Sequence, residues 1–259
     1  MRQAAPIKIG VFGASGRMGQ LLGALAGAQG WQAFWGGFKT RQPSGFCFTH
    51  VLSDDFYRGG VKTIPVLREI DIFFDFSVSE VVLPNVGLVR SLERPYVCGV
   101  TGLSVELEKG LRDAAQHIPV LWSPNFSLGI NLMKRIIPHL AQLHDVYDFD
   151  IEEIHHRAKR DAPSGTALML RQELRRHLPE EKKLNMPISL RGGGVVGEHC
   201  IIALGDYEIL RFSHHAFDRK AFALGALYAG QWLLKQTAGW YSLDQVWEEG
   251  FKTTIGKFV

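Results

Sequence analysis

Ile7-Lys8-Ile9-Gly10-Val11-Phe12-Gly13-Ala14-Ser15-Gly16-Arg17-Met18-Gly19 is the stretch on which the fold turns. Residues 7–12 form a short apolar run with strand character, and residues 20–28 read as a helix. Between them, glycines at positions 13, 16 and 19 let the backbone turn tightly and approach a pyrophosphate, which would rest on the helix N-terminus. The chain holds 28 glycines, so the spacing alone says little. Its place between a first strand and a helix gives it meaning.

The second strand is expected over residues 31–37. An NAD site would present an acidic residue about 20 residues beyond the turn, to hold the ribose hydroxyls. Phe38-Lys39-Thr40-Arg41 stands there instead. Lys39 and Arg41 point to a 2′-phosphate, hence NADP(H); a solvated turn with two exposed bases is the alternative. Farther on, strands are expected over residues 70–77, 96–100 and 120–122, with helices over 80–92 and 105–115. That alternation predicts parallel βαβ units, a doubly wound α/β sheet whose ligands bind beyond the carboxyl ends of the strands. Asp75-Phe76-Ser77, Gly99-Val100-Thr101-Gly102 and Ser123-Pro124-Asn125-Phe126-Ser127 break into small or polar residues at those ends, as ordinary βα turns also do.

The pattern then changes. A helix over 129–143 carries Ile130, Met133, Ile136, Leu140 and Leu143 as a stripe, with Pro138 expected to cost a hydrogen bond and kink it. A strand over 148–154, a helix over 167–178 and strands over 188–190, 198–204 and 207–213 predict an α+β region with an antiparallel or mixed sheet. A helix over 222–234 follows, and Trp240, Tyr241, Val246 and Trp247 give the tail enough apolar area to dock.

The densest chemistry lies in Glu153-Ile154-His155-His156-Arg157-Ala158-Lys159-Arg160-Asp161-Ala162-Pro163-Ser164-Gly165-Thr166-Ala167. An imidazole titrates near neutral pH and so carries protons. Lys159 is a compact positive charge, and Pro163-Ser164-Gly165-Thr166 reads as a helix entrance whose free N–H groups favour an anion. A solvated basic loop is the bland alternative, and the combination outweighs it. A zinc role for His155 and His156 fails, because neighbouring strand residues face opposite ways and no third ligand sits at a convincing spacing.

At 259 residues and 46% hydrophobic, the chain can bury a proper core in one or two domains. A net charge of +3 is mild and, with no basic, aromatic-laced stripe, does not indicate a nucleic-acid partner. Cys47, Cys98 and Cys200 are read as reduced thiols of a cytoplasmic protein. No apolar run approaches a membrane span, and residues 1–6 are expected to be a short disordered leader.

Several motifs occur together in one order. They are Gly13-Ala14-x-Gly16-Arg17-Met18-Gly19, Asp75-Phe76-Ser77, Gly99-x-Thr101-Gly102, Asn125-Phe126-Ser127-x-Gly129-x-Asn131, the His155-His156 stretch, Val196-Gly197-Glu198-His199 and Arg219-x-x-Phe222-Ala223-x-Gly225-Ala226. In these the chain resembles the 4-hydroxy-tetrahydrodipicolinate reductase (dihydrodipicolinate reductase) family over nearly its whole length. The resemblance implies NAD(P)H-dependent reduction of a cyclic dicarboxylate in lysine and diaminopimelate biosynthesis. It implies a Rossmann-type dinucleotide domain over residues 1–128, a substrate-binding and oligomerisation domain over 129–220, and a helical tail over 221–259 that returns to the first domain. It also implies a homotetramer in which the open sheets of the second domains pair.

By the same resemblance, His155 and Lys159 are the catalytic proton donors. His156, Ser164, Gly165, Thr166, Thr101 and Arg219 meet the substrate. Gly13, Ala14, Ser15, Gly16, Arg17, Met18, Gly99, Val100, Thr101, Ser123, Pro124, Asn125 and Phe126 line the cofactor, joined by Lys39 and Arg41, and no metal is expected. Phe38 stands where many members carry the ribose-binding acid, which favours NADPH and leaves NADH open. Val100 replaces a common Thr, and the segment over 184–191 is shorter than in some members. Two alternatives remain: an NADP(H)-sensing regulatory protein on the same fold, expected to lose His155 or Lys159, and a dehydrogenase of another small acid.

Overall fold

A computed structural model describes residues 5–36, 48–52 and 67–250. Phe38, Lys39, Arg41, Cys47 and most of the expected leader lie outside the described residues. The chain divides into two compact units, Met1–Phe126 with Phe222–Val259, and Ser127–Ala221.

The first unit alternates β1 (Lys8–Phe12), α1 (Arg17–Ala28), β2 (Gln32–Gly36), β3 (Phe48–Leu52), β4 (Ile72–Asp75), α2 (Val82–Ser91), β5 (Tyr96–Cys98), α3 (Val105–Ala115) and β6 (Pro119–Trp122). Strand β4 is buried at all four positions, as a strand covered on both faces should be. Phe12, Phe73, Tyr96 and Val120 pack with Val86 and Val89 of α2 and Leu111 and Ala114 of α3. Ser104 caps α3 by accepting the N–H of Leu107. Helix α1 begins at the third residue before the expected one, straight off the glycine turn.

The second unit follows with α4 (Leu128–Ala141), β7 (Asp148–His155), α5 (Gly165–His177), β8 (Ile188–Arg191), β9 (Gly197–Leu204) and β10 (Ile209–Ala216). Helix α4 runs continuously through Pro138. Along β7 every second residue is buried, so only one sheet face is covered. Phe149, Ile151, Ile201 and Ala203 meet Ile130, Met133, Ile137 and Leu140 of α4 and Leu170 and Leu174 of α5. The four strands lie in the order β10-β9-β7-β8. The sheet is mixed: β9 pairs antiparallel with β7 and β10, whereas β8 runs parallel to β7.

The chain then re-enters the first unit through α6 (Lys220–Leu233) and β11 (Gly239–Tyr241), which pairs parallel with β6. A side chain at Gly230 of α6 would press on Phe74 and Ile72, opposite the face that carries Phe73, so helices cover both faces of the sheet. The strand order is β11-β6-β5-β4-β1-β2-β3, all parallel. The order reverses between β1 and β4, the switch point where doubly wound sheets bind ligands. No described helix is long and apolar enough to cross a membrane.

Candidate active site

Three loops of the first unit gather at the carboxyl ends of β1, β4, β5 and β6. Gly13 has φ of +76°, and a Cβ there would come within 2.6 Å of the Phe76 carbonyl oxygen. Gly19 is packed against Ala14 in the same way, so the turn tolerates no side chain at either position. Ala14 is fully buried, Met18 is half-buried, and Ser15, Gly16 and Arg17 are exposed. Such a cradle, backbone laid open at a helix start beside the switch point, fits a dinucleotide.

Asp75 is fully buried at the end of β4 and accepts hydrogen bonds from Ser77 N–H (2.9 Å), Asn85 Nδ2 (2.8 Å) and Tyr96 OH (2.5 Å). It fixes the loop on which Gly13 leans. Gly99 packs so close to the Phe76 ring that a Cβ there would stand 2.2 Å from it. The Val100 side chain is buried and its carbonyl accepts from Trp122 Nε1 at 2.9 Å, while Thr101 is exposed. Ser123 is buried and its hydroxyl donates to the Asn125 carbonyl at 2.8 Å. Pro124 is exposed, Asn125 is half-buried, and Phe126 is buried against Phe76.

The second unit carries the other group. Glu153 and His155 sit two apart on β7 and therefore on one face. His155 Nδ1 meets Glu153 Oε2, while Glu153 Oε1 accepts from Arg191 Nη2 at 2.7 Å and Ser164 N–H at 3.3 Å. Ser164 caps α5 by accepting the N–H of Ala167, which leaves the helix mouth at exposed Gly165 and half-buried Thr166. The segment leading into that mouth is braced by the residues just after β8, where Gly192 N–H donates to the His155 carbonyl and Arg157 N–H to that of Gly193. His156 is half-buried, and its carbonyl accepts the Lys159 N–H at 3.0 Å. Lys159 Nζ lies 2.8 Å from Asp161 Oδ2. Arg219 is half-buried at the foot of α6, in the second unit.

Burial pulls the His155 pKa below its ordinary value, against the opposing pull of Glu153. Burial raises the Glu153 carboxyl, yet Arg191 and His155 hold it below the usual range. For Asp161, burial is likewise outweighed by the Lys159 hydrogen bond, and its pKa is lowered.

Residues 7–126 match the family model described as dihydrodipicolinate reductase, N-terminus, and residues 129–247 match dihydrodipicolinate reductase, C-terminus. The chain belongs to the dihydrodipicolinate reductase family. The 4-hydroxy-tetrahydrodipicolinate reductase of Bdellovibrio bacteriovorus is 35% identical to it over 240 residues, 93% of this chain and 96% of that protein. The protein of the same name from Archaeoglobus fulgidus is 34% identical over 267 residues, 93% of this chain and 100% of that one. A solved dipicolinate-bound dihydrodipicolinate reductase from Paenisporosarcina sp. TG-14 has a TM-score of 0.74 at 20% identity, covering 92% of this chain and 97% of that chain, which is a likeness of fold.

Within this dihydrodipicolinate reductase framework, three side chains around His155 escape sequence reasoning. Glu153 and Arg191 form its support. His199 of β9 is buried, packs edge-on against the His155 ring at 5.1 Å between centroids, and shares a 3.2 Å contact between its Nε2 and Ser164 Oγ. Burial, then the neighbouring His155, push its pKa down to about 3. The sequence offers no third ligand at a convincing spacing from His155 and His156; in space, ligand atoms of Glu153, His155 and His199 lie within 4.8 Å of one another, and His156 is not among them. The Arg191 guanidinium already occupies the cation's place at that carboxylate, so the trio reads as a hydrogen-bonded network. The available signal was the Gly197-Glu198-His199 motif, whose partner in space only β-register discloses.

Proposed function

We propose that the chain reduces 4-hydroxy-tetrahydrodipicolinate to tetrahydrodipicolinate in lysine and diaminopimelate biosynthesis, with His155 and Lys159 as its proton donors. The observation that carries this reading is the match of both halves to one reductase family. The buried Glu153–His155 pair beside an open helix mouth supports the residue assignment.

The substrate is a cyclic dicarboxylate, so water around its two carboxylates must be replaced by cations and N–H groups. Gly165 and Thr166 offer backbone N–H groups at the α5 start, with Ser164, His156, Thr101 and Arg219 as further contacts. His155 gives a proton to the ring carbon beside the one reduced. Lys159 steadies the charge that develops or favours loss of the 4-hydroxyl. The fit of the glycine cradle supports a nicotinamide dinucleotide held by residues 13–18, 99–101 and 123–126. When bound, that cofactor supplies the hydride. Lys39 and Arg41 favour NADPH over NADH by pairing with the 2′-phosphate. The reading extends to a cytoplasmic homotetramer. Retention of both His155 and Lys159 speaks against a regulatory relative that only senses the cofactor.

A coupled assay tests the reaction: aspartate semialdehyde, pyruvate and the preceding synthase are supplied, and oxidation of NADPH and NADH is followed separately. Oxidation that depends on every component is expected; none with either cofactor overturns the reading. Replacing Lys39 and Arg41 together with Ala should raise KM for NADPH far more than for NADH, and equal effects would remove the 2′-phosphate role.

A further inference from the structure

We propose that Glu153 is a positioning residue for this reduction: its carboxylate accepts a hydrogen bond from His155 Nδ1–H and fixes the ring so that Nε2 alone exchanges protons with the substrate. The inference rests on His155 being the proton donor.

A neutral imidazole has two tautomers, and the hydrogen bond at one nitrogen decides which nitrogen is free for chemistry. Glu153 can make that decision because it cannot move. It is fully buried on the central strand β7, and one oxygen is held by Arg191 and by the Ser164 N–H. An ionised, buried carboxylate is tolerable only with such partners. The other oxygen faces His155 Nδ1. The opposite edge of the ring is kept clear by a second feature. A Cβ on Gly197 would stand 3.0 Å from His155 Nε2, so a glycine in β9 leaves that nitrogen accessible. His199 backs the ring from β9 as a neutral imidazole and adds no competing charge.

The proton cycle balances at Nε2. The Nε2–H bond of the imidazolium is broken as the carbon gains its proton, His155 keeps the Nδ1 proton in its hydrogen bond to Glu153, and solvent restores the one on Nε2. The charged and titratable groups facing this unit are Glu153 on β7, Arg191 on β8, His199 on β9 with His214 of β10 beyond it, and Lys159, itself paired to Asp161, on the following loop.

Glu153→Gln removes the negative charge and keeps the shape. Because that charge favours the imidazolium, its loss lowers the His155 pKa, and kcat should begin to fall at lower pH than in the wild type. At neutral pH kcat should drop by roughly 10- to 100-fold with KM little changed. Glu153→Asp should recover part of the loss, and Glu153→Gln in a His155→Ala background should add nothing. Wild-type kcat with an unshifted pH profile in Glu153→Gln would overturn the positioning role while leaving His155 as donor. Wild-type turnover in His155→Ala would instead overturn the reading beneath it. Ring ¹⁵N shifts of the wild-type enzyme need no variant: Nδ1 protonated and Nε2 bare is expected, and the reverse tautomer overturns the proposal.

Discussion

His199 shows how one residue ties the site to stability. Its pKa falls from an unfolded value near 6.5 to about 3 because the folded protein buries it, so the folded state binds fewer protons than the unfolded one. Its contribution is therefore intact above the unfolded pKa and is lost as pH drops from 6.5 toward 3. Stability should decline by up to about 1.4 kcal/mol per pH unit from this group. Urea unfolding at pH 7.5, 6 and 5 should show that slope, and His199→Gln should flatten it; an unchanged slope would assign the acid sensitivity elsewhere. Lys159 works at the surface of the same cluster, paired only to a carboxylate that is itself more than half exposed. Lys159→Ala should keep the Tm and the NADPH affinity and cut kcat by roughly 100-fold or more, as loss of a proton-donating group does. Near wild-type kcat would remove it from the chemistry. His155, His156 and Lys159 are legible in the sequence because reactive residue types crowd a few positions before a helix cap. Glu153, Arg191 and His199 are not, since Arg191 lies 38 residues from Glu153 and His199 meets it only through the β7–β9 register.

Elements are legible to the extent that their signals are local. Ser104, Ser127 and Ser164 each accept an N–H at the start of a helix, and those three starts fall within two residues of the reading. Strands β3 and β11 carry no comparable signal. The latter is three half-buried residues whose place is set by parallel pairing to β6, far back in the chain. The mixed second sheet is similar: alternation reveals which strands are one-sided, but the parallel direction of β8 follows from α5 carrying the chain back. Helix packing can be tested with one substitution at two places. A Cβ on Gly225 of α6 would run into the Phe126 carbonyl, backbone that cannot step aside. A Cβ on Gly27 near the end of α1 meets nothing within 4 Å. Gly225→Ala should cost about 1–3 kcal/mol through overpacking, whereas Gly27→Ala should gain about 0.5–1 kcal/mol from chain entropy. Thermal melts of the two variants should move in opposite directions; a shift of the same sign would contradict the packing of α6 on the Ser123–Phe126 loop.

At the scale of the molecule, the second unit leaves one sheet face without helices. Alternation on β7, β8 and β10 turns Phe149, Ile151 and their neighbours to the core and the intervening residues outward. Among the outward set are Leu190 at 49% and Ile209 at 60% exposure, on the two edge strands, with Phe217 at 86% just beyond. Apolar side chains spread across an open sheet are costly in water and fit a surface that meets a copy of itself. The polar pairs on this face, Arg211 with Glu152 and His215 with Glu198, are made within one chain and so do not demand an outside partner of opposite charge. The proposed homotetramer therefore predicts that placing a carboxylate on the face will break the assembly without touching the core. Leu190→Glu and Ile209→Glu should each sediment as smaller species than the wild type while far-UV circular dichroism stays unchanged. If both variants keep the wild-type mass, or if the wild type itself sediments as a monomer, pairing through this sheet is wrong.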